Sequence, residues 1–150
     1  MLTTNDRIIK LWKFEYKVHK ESSQCRIGPD GGIIMPESRI IDEGYESTEK
    51  KQYKFCHNYN INSLSSSPDG QNFLSADDLR INLWSVENNE IAYNYVDLKP
   101  PQIEELAEVI TYCEYHPKRS DVFLFSSSKG YISVCDLRKN SYFDNCATKF

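Results

Sequence analysis

Two adjacent carboxylates, Asp77 and Asp78, are the first residues to consider for catalysis, because paired carboxylates can act as a general acid and a general base. Successive residues of a strand point to opposite faces, so these two side chains could not easily reach one reacting atom. A turn explains them better, with Asp77 bonded to the local backbone and Asp78 facing solvent. The pair therefore predicts a binding carboxylate on a turn rather than a catalytic pair.

Ser126 and Lys129 match the Ser-x-x-Lys pattern of a serine nucleophile and its base. That chemistry needs a helix that brings both side chains to one face, whereas this pattern lies where a predicted strand passes into a turn at Gly130. The order Lys-Gly is also the reverse of the Gly-Lys order in phosphate-binding loops. The match is therefore interpreted as coincidental, and the chain is not expected to be an enzyme.

Histidine and cysteine, the usual ligands of transition metals, occur without metal-ligand spacing. The histidines are His19, His57 and His116, and the cysteines are Cys25, Cys56, Cys113, Cys135 and Cys146. An odd number of cysteines with no Cys-x-x-Cys pair argues against a disulfide framework and against a zinc site. We therefore expect free thiols in a reducing compartment and no metal or cofactor. The expected location is the cytoplasm, with the nucleus as a further possibility.

The composition limits the class of partner. The chain has 150 residues, a net charge of −4 and a 13% share of aromatic residues, which is too high for a disordered tail. An acidic chain is poorly suited to nucleic acid, because binding requires a basic surface that neutralises phosphates. No run of about 18 apolar residues is present, so no membrane partner is expected. A basic protein partner is compatible with this charge.

Three segments resemble one another along the chain. They are Leu2–Lys13, Phe73–Ser85 and Phe123–Arg138. Each begins with an apolar strand start, continues through a Ser/Thr-rich stretch and a polar turn, and resumes with apolar residues at every second position. Period-two alternation on both sides of a tight turn is typical of two antiparallel strands. Each segment therefore predicts the inner strand pair of one repeated sheet.

The middle segment belongs to a longer ordered pattern. His57 is followed by a predicted strand at Ile61–Ser67, and Pro68-Asp69-Gly70 then supplies a turn. The pattern continues to Trp84 as a WD repeat. The third segment has the same parts: Val109–Glu114, His116-Pro117, Phe123–Ser127 and Tyr131–Leu137.

These repeats predict an all-β fold, a WD-repeat β-propeller with about two and a half blades. Because a propeller closes a ring of about four to eight blades, the chain is expected to be a fragment of a longer protein. The predicted divisions are residues 1–13, the end of one blade; 14–54, a long inter-blade loop with a partly disordered tip; 55–98, a blade; 99–139, a blade preceded by an acidic helical turn; and 140–150, the start of the next connection.

The acidic segment after Pro100-Pro101 has two interpretations. Proline followed by Glu104, Glu105 and Glu108 is typical of a helix N-terminus. Apolar residues follow at helical spacing: Ile103, Leu106, Ala107 and Ile110. The segment can be a capped surface turn, or an acidic rim that attracts basic substrates, and its residues alone do not separate the two.

Several motifs in order resemble the B family of 55-kDa regulatory subunits of protein phosphatase 2A. They are TNDRIIKLWK (Thr4–Lys13), SADDLRINLW (Ser75–Trp84), EELAEVIT (Glu104–Thr111), His116-Pro117, SSSKG (Ser126–Gly130) and CDLR (Cys135–Arg138). The resemblance covers Leu2–Lys13 and about residues 55–138, and none is recognised across Phe14–Lys54. It implies a seven-bladed propeller that bridges a scaffold subunit and a catalytic subunit. In that family the main scaffold-docking element precedes the part that this chain resembles.

The resemblance also implies a substrate groove on an acidic face. By matching motif its residues are Tyr59, Asp78, Glu104, Glu105 and Leu106. The family usually has Tyr-His where this chain has Tyr59-Asn60, so this edge of the groove departs from the family pattern.

The expected function is that of a regulatory subunit that recruits basic phosphoprotein substrates, with the phosphatase catalytic and scaffold subunits as partners of the full-length protein. One alternative is another WD-repeat interaction scaffold, such as a ubiquitin-ligase adaptor. A second alternative, from a different class, is an enzyme domain built on a propeller.

Overall fold

The computed structural model describes residues 1–27, 29, 31–35, 38–139 and 147–150, and these form an all-β structure. The strands are β1 (Leu2–Asn5), β2 (Ile8–Ser22), β3 (Arg26–Ile27), β4 (Ile33–Ile34), β5 (Ser38–Tyr53), β6 (Ser63–Ser66), β7 (Asn72–Ala76), β8 (Arg80–Ser85), β9 (Ala92–Asp97), β10 (Ile110–Tyr115), β11 (Val122–Ser127), β12 (Ile132–Asp136) and β13 (Ala147–Lys149). A 3-10 turn covers Ile103–Glu105. Nowhere in this described part does a helix have the length and apolar character needed to cross a membrane.

Two four-stranded antiparallel sheets carry the repeats. Their strand orders are β6-β7-β8-β9 and β10-β11-β12-β13. The repeated segments Phe73–Ser85 and Phe123–Arg138 supply the middle strands of each sheet, with registers such as Phe73↔Trp84. The all-β prediction and the predicted hairpins are confirmed. The number of blades in a complete ring stays a prediction.

The last strand differs from expectation. β13 pairs with β12 as the fourth strand of its sheet, whereas residues 140–150 were predicted to begin the next connection. Ile132 and Phe150 also exchange two backbone hydrogen bonds, of 3.1 and 2.9 Å. Residues 140–146 lie outside the described residues. β13 has only three residues, which is too short a strand to show a recognisable alternating pattern in the sequence.

Residues 14–54 also differ from the predicted loop. Most of them lie in β2 and β5, which pair in a sheet of order β1-β2-β5, and β3 and β4 form a separate two-stranded hairpin. Phe14, Tyr16 and Val18 alternate along β2, but all three are exposed. The alternation was a strand signal that the charged surroundings obscured. The expectation of a disordered tip falls partly on residues 28, 30, 36 and 37, which lie outside the described residues.

The chain divides into two compact units. One consists of Met1 and Trp12–Lys50, and in it the rings of Tyr16 and Tyr45 meet edge to face at 5.3 Å. The other consists of Leu2–Leu11 and Lys51–Phe150, and it contains both four-stranded sheets. All the predicted binding residues lie in this second unit.

Two apolar clusters hold the second unit together. The larger joins the two four-stranded sheets; its buried members are Leu74, Ala76, Ile81, Tyr95, Val96, Ile110, Cys113, Tyr115, Phe123, Phe125 and Cys135. The smaller packs the start of β2 and the end of β5 on the first of these sheets; its buried members are Ile9, Tyr53, Ile61, Phe73 and Trp84. In the smaller cluster the Tyr53 ring lies 4.9 Å from that of Phe73 and 5.3 Å from that of Trp84. Asn82 is buried although it alternates with apolar residues, because both faces of the first sheet are packed. Ser133 is buried because it lies on the same face of β12 as Cys135, which belongs to the larger cluster.

The cysteines give a first testable expectation. Cys25 is exposed and Cys56 half-buried, whereas Cys113 and Cys135 are buried free thiols; Cys146 lies outside the described residues. Burial raises the pKa of Cys113, so its reactive thiolate form is disfavoured. In the folded protein we expect Cys25 to be alkylated at least about a hundredfold faster than Cys113 or Cys135.

Mass spectrometry after timed iodoacetamide treatment would measure these rates. In denaturant all five thiols should react, because none is expected in a disulfide. Rapid modification of Cys113 in the folded protein, or recovery of any stable disulfide from intracellular material, would contradict this expectation.

Candidate protein-binding site

Asp77 builds the turn between β7 and β8. Its side chain is fully buried, and Oδ1 accepts hydrogen bonds from the backbone N–H groups of Leu79 (2.8 Å) and Arg80 (2.6 Å). The N–H of Asp77 donates to the carbonyl of Arg80 at 2.9 Å, which closes the hairpin. The predicted turn role of Asp77 is confirmed, and its carboxylate is withdrawn from the surface.

His57 bonds to the second oxygen of the same carboxylate. The distance from His57 Nδ1 to Asp77 Oδ2 is 2.8 Å. Trp84 Nε1 donates to Ser75 Oγ at 2.9 Å, so the Ser75 hydroxyl is free to donate to His57 Nε2 at 2.6 Å. This order of donors assigns the ring proton of His57 to Nδ1, which donates to Asp77. The expected role of His57 as a hydrogen-bonding residue within the blade is confirmed.

The carboxyl group of Asp77 is ionised at neutral pH despite its burial. Burial raises its pKa, but the hydrogen bonds from His57 and from the two backbone N–H groups outweigh that effect and lower the pKa below its usual value. A buried carboxylate bonded at both oxygens holds the turn in one conformation. The next residue, Asp78, is therefore presented in a fixed position.

Asp78 lies at the apex of the turn with its side chain exposed. Its backbone carbonyl accepts a hydrogen bond from the N–H of Ile110 at 2.8 Å, and the carbonyl of Leu79 accepts one from the N–H of Leu98 at 2.8 Å. Both ends of the connection between β9 and β10 are therefore hydrogen-bonded to the β7–β8 turn. We call residues 98–110 the acidic loop, and both of its ends are fixed beside Asp78.

The acidic loop carries three of the predicted binding residues. Glu104 and Glu105 lie in the 3-10 turn, and Leu106 follows it; all three side chains are exposed. The acidic helical turn expected before this blade is present. The apolar stripe at helical spacing is not formed, because Ile110 begins β10 and is buried between the sheets. The binding role of the three residues stays a prediction.

Tyr59 and Asp78, the other two predicted residues, share an open surface cavity of about 460 Å³. The described residues that line it are Asp6, Arg7, Asn58, Tyr59, Asn60 and Asp78. The backbone carbonyl of Asp6 accepts a hydrogen bond from the N–H of Ile61 at 2.8 Å, which fixes the β1–β2 turn against this wall. Asn60, where the chain departs from the family pattern, lies in the same lining.

Glu108 is an acid of the loop that the sequence alone did not assign to either a capped surface turn or an acidic rim. Its Oε2 accepts hydrogen bonds from Ser127 Oγ (2.8 Å) and Tyr131 Oη (2.5 Å), and Lys129 Nζ lies 3.7 Å from Oε1. The negative charge of Glu108 is therefore bonded to groups of this chain and does not belong to an open acidic rim. These partners follow it by about twenty residues in the chain, so no local pattern could have shown them.

The Ser-x-x-Lys match does not form a catalytic pair. Ser126 Oγ lies 2.7 Å from Thr111 Oγ1, whereas Lys129 faces Glu108. Among the residues that the structure describes, no group of three or more His, Cys, Asp or Glu side chains is placed to hold a metal ion.

The repeat is also found by comparison with known families. The profile described as "WD domain, G-beta repeat" matches residues 49–85. This stretch begins in β5 and ends with β8. One sequence repeat therefore supplies the last strand of one sheet and the first three strands of the next, which offsets the sequence repeat from the sheet by one strand.

Among solved structures, the β-propeller domain of Cps50 (Swd1) from Myceliophteria thermophila aligns with a TM-score of 0.47 and 15% identity, over 88% of this chain and 41% of that one.

Curated relatives align along the whole chain. Identity is 41% to the B-type regulatory subunit of protein phosphatase PP2A from Candida tropicalis and 40% to the PP2A 55 kDa regulatory subunit of Drosophila melanogaster, in both cases over 100% of this chain and 32% of the relative. It is 38% to the B beta isoform of the phosphatase 2A 55 kDa regulatory subunit from Carassius auratus, over 99% of this chain and 36% of that protein.

The aligned region includes residues 14–54, where the sequence by itself showed no resemblance. The chain spans about a third of the length of these curated relatives. The chain thus combines an all-β fold and a WD repeat with similarity, over its whole length, to part of the B-type 55-kDa regulatory subunits of protein phosphatase 2A.

Proposed function

We propose that the chain is part of a regulatory subunit of protein phosphatase 2A that recruits substrates and has no catalytic site of its own. The proposal is supported by alignment, over the whole of this chain, with proteins named as regulatory subunits of that phosphatase. Regulation of a separate catalytic subunit requires a binding surface rather than reacting groups. The expected partners of the full-length protein are the catalytic and scaffold subunits of the phosphatase.

The face around Asp78 is the part of the chain best suited to substrates. The observation that carries this assignment is the exposed carboxylate of Asp78 on a turn fixed by the buried Asp77–His57 pair. Tyr59 lies in the same cavity and offers an aromatic surface for the methylene stem of a Lys or Arg side chain. Glu104 and Glu105 add exposed negative charge on a loop anchored to the same turn.

This surface favours basic phosphoprotein substrates. Complementary charge raises the rate of encounter and fixes orientation more than it raises affinity. Once a substrate is held, tethering raises its effective concentration near the catalytic subunit, so dephosphorylation is accelerated without new chemistry on this chain.

Affinity purification of the intact protein from cells tests the proposed role. We expect phosphatase catalytic and scaffold subunits to co-purify with it, and the purified chain alone to hydrolyse no phosphopeptide. Recovery of ubiquitin-ligase subunits in place of phosphatase subunits would instead assign the protein to another class of WD-repeat scaffold. Hydrolysis by the chain alone would contradict the regulatory role.

A further inference from the structure

The acidic loop uses one of its acids for an internal contact. The Glu108 side chain is 18% exposed and bonds to Ser127 and Tyr131, both of which lie at the turn between β11 and β12. Glu104 and Glu105, earlier in the same loop, are exposed. The loop therefore divides into two exposed acids and one acid that is bonded to the neighbouring blade.

The backbone beside Glu108 is bonded to the same turn. The N–H of Val109 donates to Ser128 Oγ at 3.0 Å, and the N–H of Ser128 donates to the carbonyl of Val109 at 2.9 Å. The next residue, Ile110, donates to the carbonyl of Asp78. Three successive residues at the end of the acidic loop are thus held in place. A loop that is already ordered loses less conformational entropy when a ligand binds to it.

Lys129 balances the charge of Glu108. Burial raises the pKa of Glu108, but hydrogen bonds from Tyr131 and Ser127 and the charge of Lys129 lower it below its usual value, so this carboxylate is ionised at neutral pH. With a cation 3.7 Å away, it adds little to the field that an approaching substrate meets. A direct contact with a basic substrate is therefore not its role.

We infer that Glu108 is a positioning residue: it holds the acidic loop on the β11–β12 turn so that Glu104 and Glu105 present their charges beside Asp78. This inference rests on the proposed function, because it concerns the same substrate-binding face. Removal of Glu108 should loosen the loop. Substrate affinity should then fall because Glu104 and Glu105 are no longer held in position.

Binding of a fluorescent peptide rich in Lys and Arg to the intact protein provides the readout, by fluorescence anisotropy. We expect Glu108→Ala to weaken binding about tenfold. Glu108→Gln keeps the side-chain shape, and its amide oxygen can accept from both hydroxyls because both donate to the same carboxylate oxygen in the wild type. This variant should therefore bind within about threefold of the wild type. Thermal unfolding of each variant shows whether it is folded. Should Glu108→Ala fail to fold, Tyr131→Phe, which removes one donor to Glu108, takes its place with a smaller expected loss.

A double-mutant comparison separates positioning from a general structural effect. In a Glu104→Ala, Glu105→Ala background, Glu108→Ala should cause no further loss of binding, because the acids through which it acts are gone. A further tenfold loss in that background would overturn the inference.

The two proposals can fail separately. If the Glu104→Ala, Glu105→Ala protein binds more weakly while Glu108→Ala binds like the wild type, the positioning role is wrong and the proposed binding face stands. If removing Glu104 and Glu105 does not change binding, both the positioning role and the place of these acids in the binding face are wrong.

Discussion

Replacement of Asp77 by alanine should lower the free energy of unfolding by about 3 kcal/mol, because it leaves a buried histidine and two backbone N–H groups without an acceptor. The structure shows all three contacts, to His57 at 2.8 Å, Leu79 at 2.8 Å and Arg80 at 2.6 Å. Asp77→Asn should lower the free energy of unfolding by less, since its amide oxygen can still accept hydrogen bonds from the two N–H groups.

Asp78→Ala is the matched control, because it removes the adjacent carboxylate from an exposed apex. It should change stability by no more than about 0.5 kcal/mol. Urea unfolding of the intact protein, followed by tryptophan fluorescence, to which the buried Trp84 contributes, would compare the transition midpoints at equal slope. Equal stability of Asp77→Ala and Asp78→Ala would show that the hydrogen-bonded turn does not stabilise the blade.

The pH dependence of this contribution has a definite sign. The folded pKa of Asp77 lies below its unfolded value, so its stabilisation is fully present above the unfolded pKa, near about 4, and is lost as the pH falls through the lowered folded value. The difference between wild type and Asp77→Ala should therefore be the same at about pH 6 and about pH 8 as far as the Asp77 carboxyl is concerned.

Charge reversal at Asp78 should act on binding instead of stability. Asp78→Lys places a cation beside Tyr59, where a basic segment is expected to lie, and should weaken its binding roughly 30-fold. Titration of a Lys- and Arg-rich peptide against the intact protein would measure the loss. Part of the loss should come from a slower association rate. Added salt should reduce this difference in rate between the variant and the wild type.

Glu90→Lys provides the control for net charge. Glu90 is exposed and follows β8, whereas Asp78 precedes it, so the two substitutions make the same charge change at opposite ends of one strand. Glu90→Lys should bind the peptide nearly as the wild type does. If both variants lose affinity equally, the effect is one of overall charge and the binding face is misplaced.

The sequence predicted the repeated hairpins because their signals are local. Tight polar turns and period-two alternation identified Phe73–Ser85 and Phe123–Arg138, and the ordered pattern from His57 to Trp84 located the hydrogen-bonded core of one blade. The turn role of Asp77 followed from the known tendency of aspartate to bond to the backbone two residues ahead.

The errors arose where structure depends on contacts distant in sequence. β2 and β5 pair across an intervening segment, and their exposed faces lack the buried stripe by which strands are usually recognised. β13 pairs with β12 and has only three residues, too few to show a recognisable pattern in the sequence. The inward orientation of Glu108, which the sequence left undecided, depends likewise on Ser127 and Tyr131, which the fold brings to it from the next hairpin.

The most direct test of the central claim is the substrate preference of the assembled phosphatase. Its kcat/KM would be measured on two phosphopeptides that differ only in whether basic or neutral residues flank the phosphoserine, with wild-type and Asp78→Lys regulatory protein. If the acidic face recruits substrates, the wild-type assembly prefers the basic peptide, and Asp78→Lys removes that preference while leaving the neutral peptide unaffected. An unchanged preference in an intact Asp78→Lys assembly would contradict the proposed role of this face.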